Sequence, residues 1–390
     1  MEHDRNRHSQ YMHSALQSAK QGEGFVEPNP MVGCVIVRRQ QIIAKGYHTR
    51  FGQAHAEVEA IRNAAAASSD LRDATLYVTL EPCSHHGKTP PCVDAILQTG
   101  IRRVVTAMRD PNPQVNGKGI DILRNAGIEV IEDVLQDEAR RLNAPYLTLL
   151  QKKRPYILCK WSMTLDGKLA SRTYHSAWIS SEASRQVVQH LRSRMDAVMV
   201  GSATARHDNP LLTVRLTDAQ RQYQRNPLRI VLDSQALICL ESQLVQTARE
   251  HKTLIVTGYD VRQEYTYQER IEKLRQAGCE VYPLPQENPQ DRLLALLAEL
   301  GKRQITNLLV EGGGQLFGSL FDLGLIDEVH SFIAPKLVGG AKAVPVFGGR
   351  GVAEMPLAAI LESPVIQNIG DDVYIHGRIV KQAQELSIAG

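Results

Sequence analysis

Short apolar runs rich in β-branched residues alternate with stretches whose apolar positions recur three and four apart, and the alternation continues along most of the chain. Up to about residue 145 it predicts strands at 31–37, 41–45, 74–80, 103–108 and 128–131. Helices around 11–21, 56–67, 93–99 and 119–126 separate most of them. That order predicts a sheet with helices packed on its faces. The charged, amphipathic stretch 137–150 reads as one further helix, and Lys152, Lys153, Arg154 and Pro155 stop it. A domain boundary is expected there. Beyond it a second α/β pattern predicts strands at 156–161, 197–200, 228–233, 253–257, 307–310 and 328–333, and a helix at 315–323. The polar stretch 216–226 reads as a surface excursion and the polar start, 1–8, as a frayed end. There is no internal repeat and no low-complexity tract.

A chain of 390 residues is long enough for two or three domains with sizeable cores. Lysine and arginine number 45 against 42 acidic side chains, and a net charge of +3 is too small to bind a polyanion by field alone. No charged-then-apolar leader opens the chain and no apolar run is long enough to span a bilayer, so neither nucleic acid nor membrane is an expected partner. Cys34, Cys159, Cys239 and Cys279 are scattered without disulfide-like spacing, which points to a reducing, cytoplasmic setting.

The remaining two cysteines change the picture. His55-Ala56-Glu57 is followed by Pro82-Cys83 and Pro91-Cys92. One histidine and two cysteines make three protein ligands for zinc and leave a fourth tetrahedral position for water. Zinc lowers the pKa of such a water towards neutrality, and a glutamate beside the histidine can shuttle protons without being a ligand. His55 and Glu57 would diverge by about 200° in mid-helix, so they converge only where a helix begins. Good helix formers do follow, at 58–65, and Pro90-Pro91 presets the start of the next helix at Cys92. A thiolate in a helix's first turn sits at its positive end. The alternative is a closed structural site, with Cys34 or His85 as fourth ligand.

Motifs in the second half are weaker individually. Val310-Glu311-Gly312-Gly313-Gly314 joins a strand to a helix, where backbone N–H groups can approach a phosphate, and it reads equally as a plain tight turn. Val200-Gly201-Ser202-Ala203-Thr204 puts small residues at another strand end. Asp208-Asn209-Pro210 with Arg215 offers a carboxylate and a cation, or simply a turn with a solvated arginine.

Taken together, these segments resemble the bifunctional deaminase/reductase family of riboflavin biosynthesis over nearly the whole chain. The first half carries the resemblance in Pro28-Asn29-Pro30-Met31-Val32-Gly33, Gly46-Tyr47-His48, His55-Ala56-Glu57, the run from Glu81 to Cys92, and Asp110-Pro111-Asn112-Pro113. Eight residues separate the cysteines, where nucleic-acid and free-nucleoside deaminases commonly have two. The second half carries it in Lys160–Gly167, Ser176-Ala177-Trp178, Gly201–Thr204, Asp208-Asn209-Pro210, Leu212–Arg215 and Val310–Gly313.

The resemblance implies a cytidine-deaminase-like α/β/α domain over 1–146 and a dihydrofolate-reductase-like α/β domain over 154–390. It implies zinc on His55, Cys83 and Cys92, Glu57 as the catalytic acid/base, and Asn29, His48, His85 and Lys88 around a phosphorylated pyrimidine. It implies NADPH against Ser162, Trp178, Thr204, Asp208 and Gly312, Gly313 and Gly314. Ser176, Arg192, Leu212, Arg215 and Glu311 would contact the reductase substrate, with Arg192 and Arg215 gripping its phosphate. It also implies a homo-oligomer. Two other readings compete: a nucleoside or tRNA deaminase with an appended nucleotide-binding domain, and a zinc-stabilised nucleotide-binding regulator.

Overall fold

The computed structural model describes residues 2–86, 90–113, 115–217, 226–258 and 264–381. Lys88 and most of the 216–226 excursion lie outside them. The chain divides into two compact units, Met1–Lys153 and Arg154–Gly390.

In the first unit α1 (Glu2–Ala19) precedes β1 (Gly33–Arg38) and β2 (Gln41–Tyr47). Then come α2 (Ala56–Ala66), β3 (Thr75–Val78), α3 (Cys92–Leu97), β4 (Arg103–Thr106), α4 (Lys118–Asn125) and β5 (Glu129–Ile131). The strands form one sheet in the order β2-β1-β3-β4-β5, antiparallel from β2 to β3 and parallel beyond. Alternate side chains of β1 serve opposite faces. Cys34 and Ile36 join a core with Ala60 of α2, Ile96 of α3 and Leu123 of α4. Val35 and Val37 join another with Met12 and Leu16 of α1 and, from further along the chain, Ala139 and Leu147. The result is three layers, α/β/α, as expected.

Two expectations need correction here. The polar start is helical from Glu2, and His8 Nδ1 lies 2.9 Å from the Tyr77 hydroxyl. The single helix read over 137–150 is two, α5 (Gln136–Leu142) and α6 (Ala144–Lys152), broken at Asn143. Asn143 Oδ1 accepts from the backbone N–H of Met31 at 2.8 Å, and its Nδ2 donates to the Met31 carbonyl at 3.0 Å. Pro145 in the first turn of α6 lacks the N–H that a continuous helix would need.

The second unit runs β6 (Tyr156–Thr164), β7 (Lys168–Ala170), α7 (Glu182–Ser193), β8 (Ala197–Gly201), α8 (Ser202–Asp208) and β9 (Leu228–Leu232). It continues through α9 (Gln243–Gln246), β10 (Thr253–Gly258), α10 (Glu264–Gln276), β11 (Glu280–Leu284), α11 (Pro289–Lys302) and β12 (Asn307–Val310). It ends with α12 (Gly314–Asp322), β13 (Glu328–Ala334), β14 (Val344–Pro345), β15 (Ile360–Ile369) and β16 (Asp372–Lys381). Nine strands form one sheet in the order β11-β10-β9-β8-β12-β6-β13-β16-β15; β7 and β14 pair separately. From β11 to β13 the pairs are parallel, and β16 and β15 add an antiparallel edge. All six predicted strands of this half are present. The pattern missed β15 and β16, and β11 as well. Most positions of β15 are exposed, so no apolar face marks it in sequence.

No helix of the described residues is long and apolar enough to cross a membrane.

Candidate active sites

His55 occupies the N-cap of α2 in an extended conformation, and Glu57 lies in the first turn. Cys92 is the first residue of α3, behind Pro91 at its N-cap. The two helix starts bring the three donors together: His55 Nδ1 lies 3.2 Å from Cys92 Sγ and 3.4 Å from Cys83 Sγ. Among the described residues neither Cys34 nor His85 joins the cluster. Cys34 is wholly buried in β1, and His85 is exposed. Three ligands without a fourth is the donor set of an open zinc site.

Glu57 Oε2 is buried and has no hydrogen-bond partner, an arrangement that costs free energy unless a ligand or substrate completes it. Burial, then the neighbouring Cys83 sulfur, raise the Glu57 carboxyl to about 7. These observations fit a zinc ion with an acid/base beside it.

His48 Nδ1 lies 3.0 Å from the Ala54 carbonyl and so carries the proton, leaving Nε2 to accept from Asn29 Nδ2 at 3.3 Å. Its ring meets that of His55 edge-on at 5.5 Å. Burial lowers the pKa of His48, consistent with the neutral tautomer. The turn carrying Cys83 is held from behind by Glu81, whose carboxylate accepts from Gly117 N at 2.9 Å and Gly119 N at 3.0 Å. Glu81 was quoted in the sequence motif without a role; only the fold shows that it ties the 110–120 loop to the metal-binding turn.

In the second unit a cavity of ≈ 740 Å³ opens at the C-terminal ends of the parallel strands. Ser162, Trp178, Thr204, Asp208, the three glycines Gly312–Gly314, Ser176 and Glu311 all line it. Gly312 and Gly313 have φ of +148° and +95°, and a Cβ on Gly312 would stand 3.2 Å from the Thr204 side chain. The turn therefore requires glycine, and it presents the N-terminus of α12 to the cavity. Ser176 Oγ donates to Asp208 Oδ1 at 2.8 Å. Trp178 is 69% exposed and carries the Arg185 guanidinium 4.3 Å from its ring centroid.

Arg192, Leu212 and Arg215 do not line this cavity. Arg192 is committed elsewhere, donating Nε and Nη2 to the Glu311 carboxylate and Nη1 to the Thr213 carbonyl. Arg192 and Glu311 thus form a buried ion pair. Leu212 is buried with φ +53°, and the side chain of Arg215 is free of that pair. The sequence reading left Lys160 without a role. It lines the cavity, and burial lowers its pKa, with Glu311 the largest opposing influence. A lysine in the middle of an apolar strand was the available signal.

A family profile described as the RibD C-terminal domain matches residues 155–375. Another, the cytidine and deoxycytidylate deaminase zinc-binding region, matches 5–108. The chain is 44% identical over 365 residues to the riboflavin biosynthesis protein RibD of Actinobacillus pleuropneumoniae, covering 94% of this chain and 93% of that one. It is 39% identical to RibD of Escherichia coli, over 94% and 98% of the two chains. A solved deaminase/reductase from Thermotoga maritima superposes with a TM-score of 0.80 at 35% identity, over 96% of this chain and 99% of that one.

Proposed function

Because the chain belongs to the RibD family of riboflavin-biosynthesis proteins, we propose that it performs two consecutive reactions on one phosphorylated pyrimidine. The segment 1–146 deaminates 2,5-diamino-6-(5-phosphoribosylamino)pyrimidin-4-one, and 154–390 reduces the ribosyl group of the product to ribityl with NADPH.

For the first reaction, His55, Cys83 and Cys92 would hold a zinc ion, which would supply a water of lowered pKa. Glu57 takes the proton released as the ring carbon is attacked and passes it to the ring nitrogen; it then takes the proton of the new hydroxyl as C=O forms and delivers it to the amino group, which leaves as ammonia. Buried in the first turn of α2 beside the three ligands, the Glu57 carboxyl is placed to take and return a proton. Neutral His48 and Asn29 hold the pyrimidine, and His85 and Lys88 are assigned to the ring edge and phosphate-bearing arm.

For the second reaction, NADPH would supply hydride to C1 of the imine formed when the ribose ring opens. Ser162, Trp178, Thr204, Asp208 and the Gly312–Gly314 turn would hold the cofactor, the turn offering backbone N–H groups to its phosphates. Lys160 donates a proton to the imine nitrogen as hydride reaches C1, and burial makes its ammonium a stronger acid. Glu311 orients Lys160 and the sugar hydroxyls. Ser176, Leu212 and Arg215 bound the substrate, and Arg192 acts by holding Glu311.

Six cysteines without a disulfide support a reducing, cytoplasmic setting, and the family supports a homo-oligomer. The observation that carries the reading is that two helix starts and the turn bearing Cys83 gather one imidazole, two thiols and a buried carboxylate. The test is NADPH oxidation by zinc-loaded protein supplied only with the undeaminated pyrimidine. Oxidation requires both halves in series. Ammonia release without oxidation would refute the reductase assignment.

A further inference from the structure

A second cluster of metal-ligating side chains lies on the sheet of the second unit, made by β13 and its antiparallel neighbour β16. His330 and His376 are direct cross-strand partners, and Glu328, two residues before His330, shares its face. One donor atom from each of Glu328, His330 and His376 lies within 4.8 Å of the others. The imidazoles lie parallel at 5.3 Å, and Glu328 Oε1 is 3.0 Å from His330 Nε2. Two ligands of a tetrahedral ion with bonds near 2.0 Å are separated by about 3.3 Å, so this pair is already close to the required spacing.

Each of the two closest donors is held from behind. The Tyr374 hydroxyl lies 2.6 Å from His330 Nδ1 and Nε2 meets Glu328, so an ion bound here takes the place of the Nε2 proton. The Tyr156 hydroxyl donates to Glu328 Oε2 at 3.0 Å, which leaves Oε1 towards the imidazoles. Metal-binding histidines and carboxylates are regularly oriented by such outer contacts. His376 is only partly buried, so its ring can turn inward.

We propose that Glu328, His330 and His376 form a second divalent transition-metal site, separate from the deaminase centre. Two imidazoles and one carboxylate select zinc and its neighbours over magnesium or calcium. Arg378 beside Glu328 and Arg194 beside His376 oppose the added charge, so the affinity is lower than at a site with two thiolates. The ion staples β13 to the antiparallel edge of the sheet, and its effect is on stability rather than on either reaction.

The test starts from full-length protein carrying one zinc per chain. Cobalt(II) is titrated in while visible absorption is followed, and total metal is counted after dialysis. A second equivalent is expected, with weak ligand-field bands and no thiolate-to-cobalt charge-transfer band. It is expected to raise the melting temperature of the second unit, and both effects should disappear in His376→Ala and Glu328→Gln. Deamination and NADPH oxidation should persist in both variants, which also reports that they fold. Should His376→Ala fail to fold, His376→Gln gives the same reading. A single equivalent in the parent chain overturns the proposal, as does a second equivalent that survives both substitutions.

Discussion

Replacing Arg192 by methionine separates the two roles open to this arginine. Its side chain is 9% exposed and that of its partner Glu311 is 5% exposed. The guanidinium donates twice to the carboxylate and once to the Thr213 carbonyl, tying α7 to the end of β12 and to the loop after α8. Methionine fills much of the volume but leaves an anion buried with one donor set removed. Breaking such a pair costs about 3–5 kcal/mol, and Lys160 and Arg215 near Glu311 favour the lower end, about 3 kcal/mol. For a unit of this size that is a fall in melting temperature of roughly 6–12 °C.

Calorimetry on the full chain, following the transition of the second unit, measures the cost directly. Burial alone would raise the Glu311 carboxyl, but Arg192, then Lys160 and Arg215, hold it below the ordinary range. Its contribution to stability is therefore complete above an unfolded-state value of about 4.3 and is lost as pH falls through the lowered folded value. The gap between parent and variant should accordingly narrow in acid. A loss below about 1 kcal/mol together with a sharply raised KM for the ribosyl substrate would refute the argument. That result would mean Arg192 leaves Glu311 to hold the substrate phosphate.

Glu57→Gln should retain zinc, by metal analysis, and lose deamination by roughly 10²-fold or more; near-normal ammonia release would remove Glu57 from the chemistry. Chelation should abolish deamination while NADPH oxidation on already deaminated substrate continues, and a loss of both would mean that zinc holds the fold of more than the first unit. Lys160→Met should lower reductase kcat far more than it raises the KM for NADPH, whereas a change confined to KM would make Lys160 a binding residue only. Gly46→Ala places a Cβ 2.3 Å from the Ala60 backbone nitrogen. Deaminase activity and the melting transition of the first unit should both collapse, with reduction spared.

The zinc site could be read before folding because its information is local. Proline and helix-forming residues set two helix starts, and a helix start is where His55 and Glu57 can converge and where Cys92 finds a positive dipole end. The alternation of short apolar runs with helical periods likewise gave most of the strands, since parallel strands buried on both faces are continuously apolar. Where the pattern failed, long-range contacts had overridden local preference. Asn143 breaks a helix by pairing with Met31, 112 residues away. The β15–β16 edge is too exposed to announce itself.

The sequence by itself determined the two α/β halves, the metal-binding triad and the glycine turn, because each depends on neighbours in the chain. Tertiary structure alone decided that Arg192 pairs with Glu311 across 119 positions, that Lys160 is desolvated in the cavity wall, and that His330 stands opposite His376. Charge pairing and desolvation depend on distance in space, and only strand order and register bring those side chains within reach of one another.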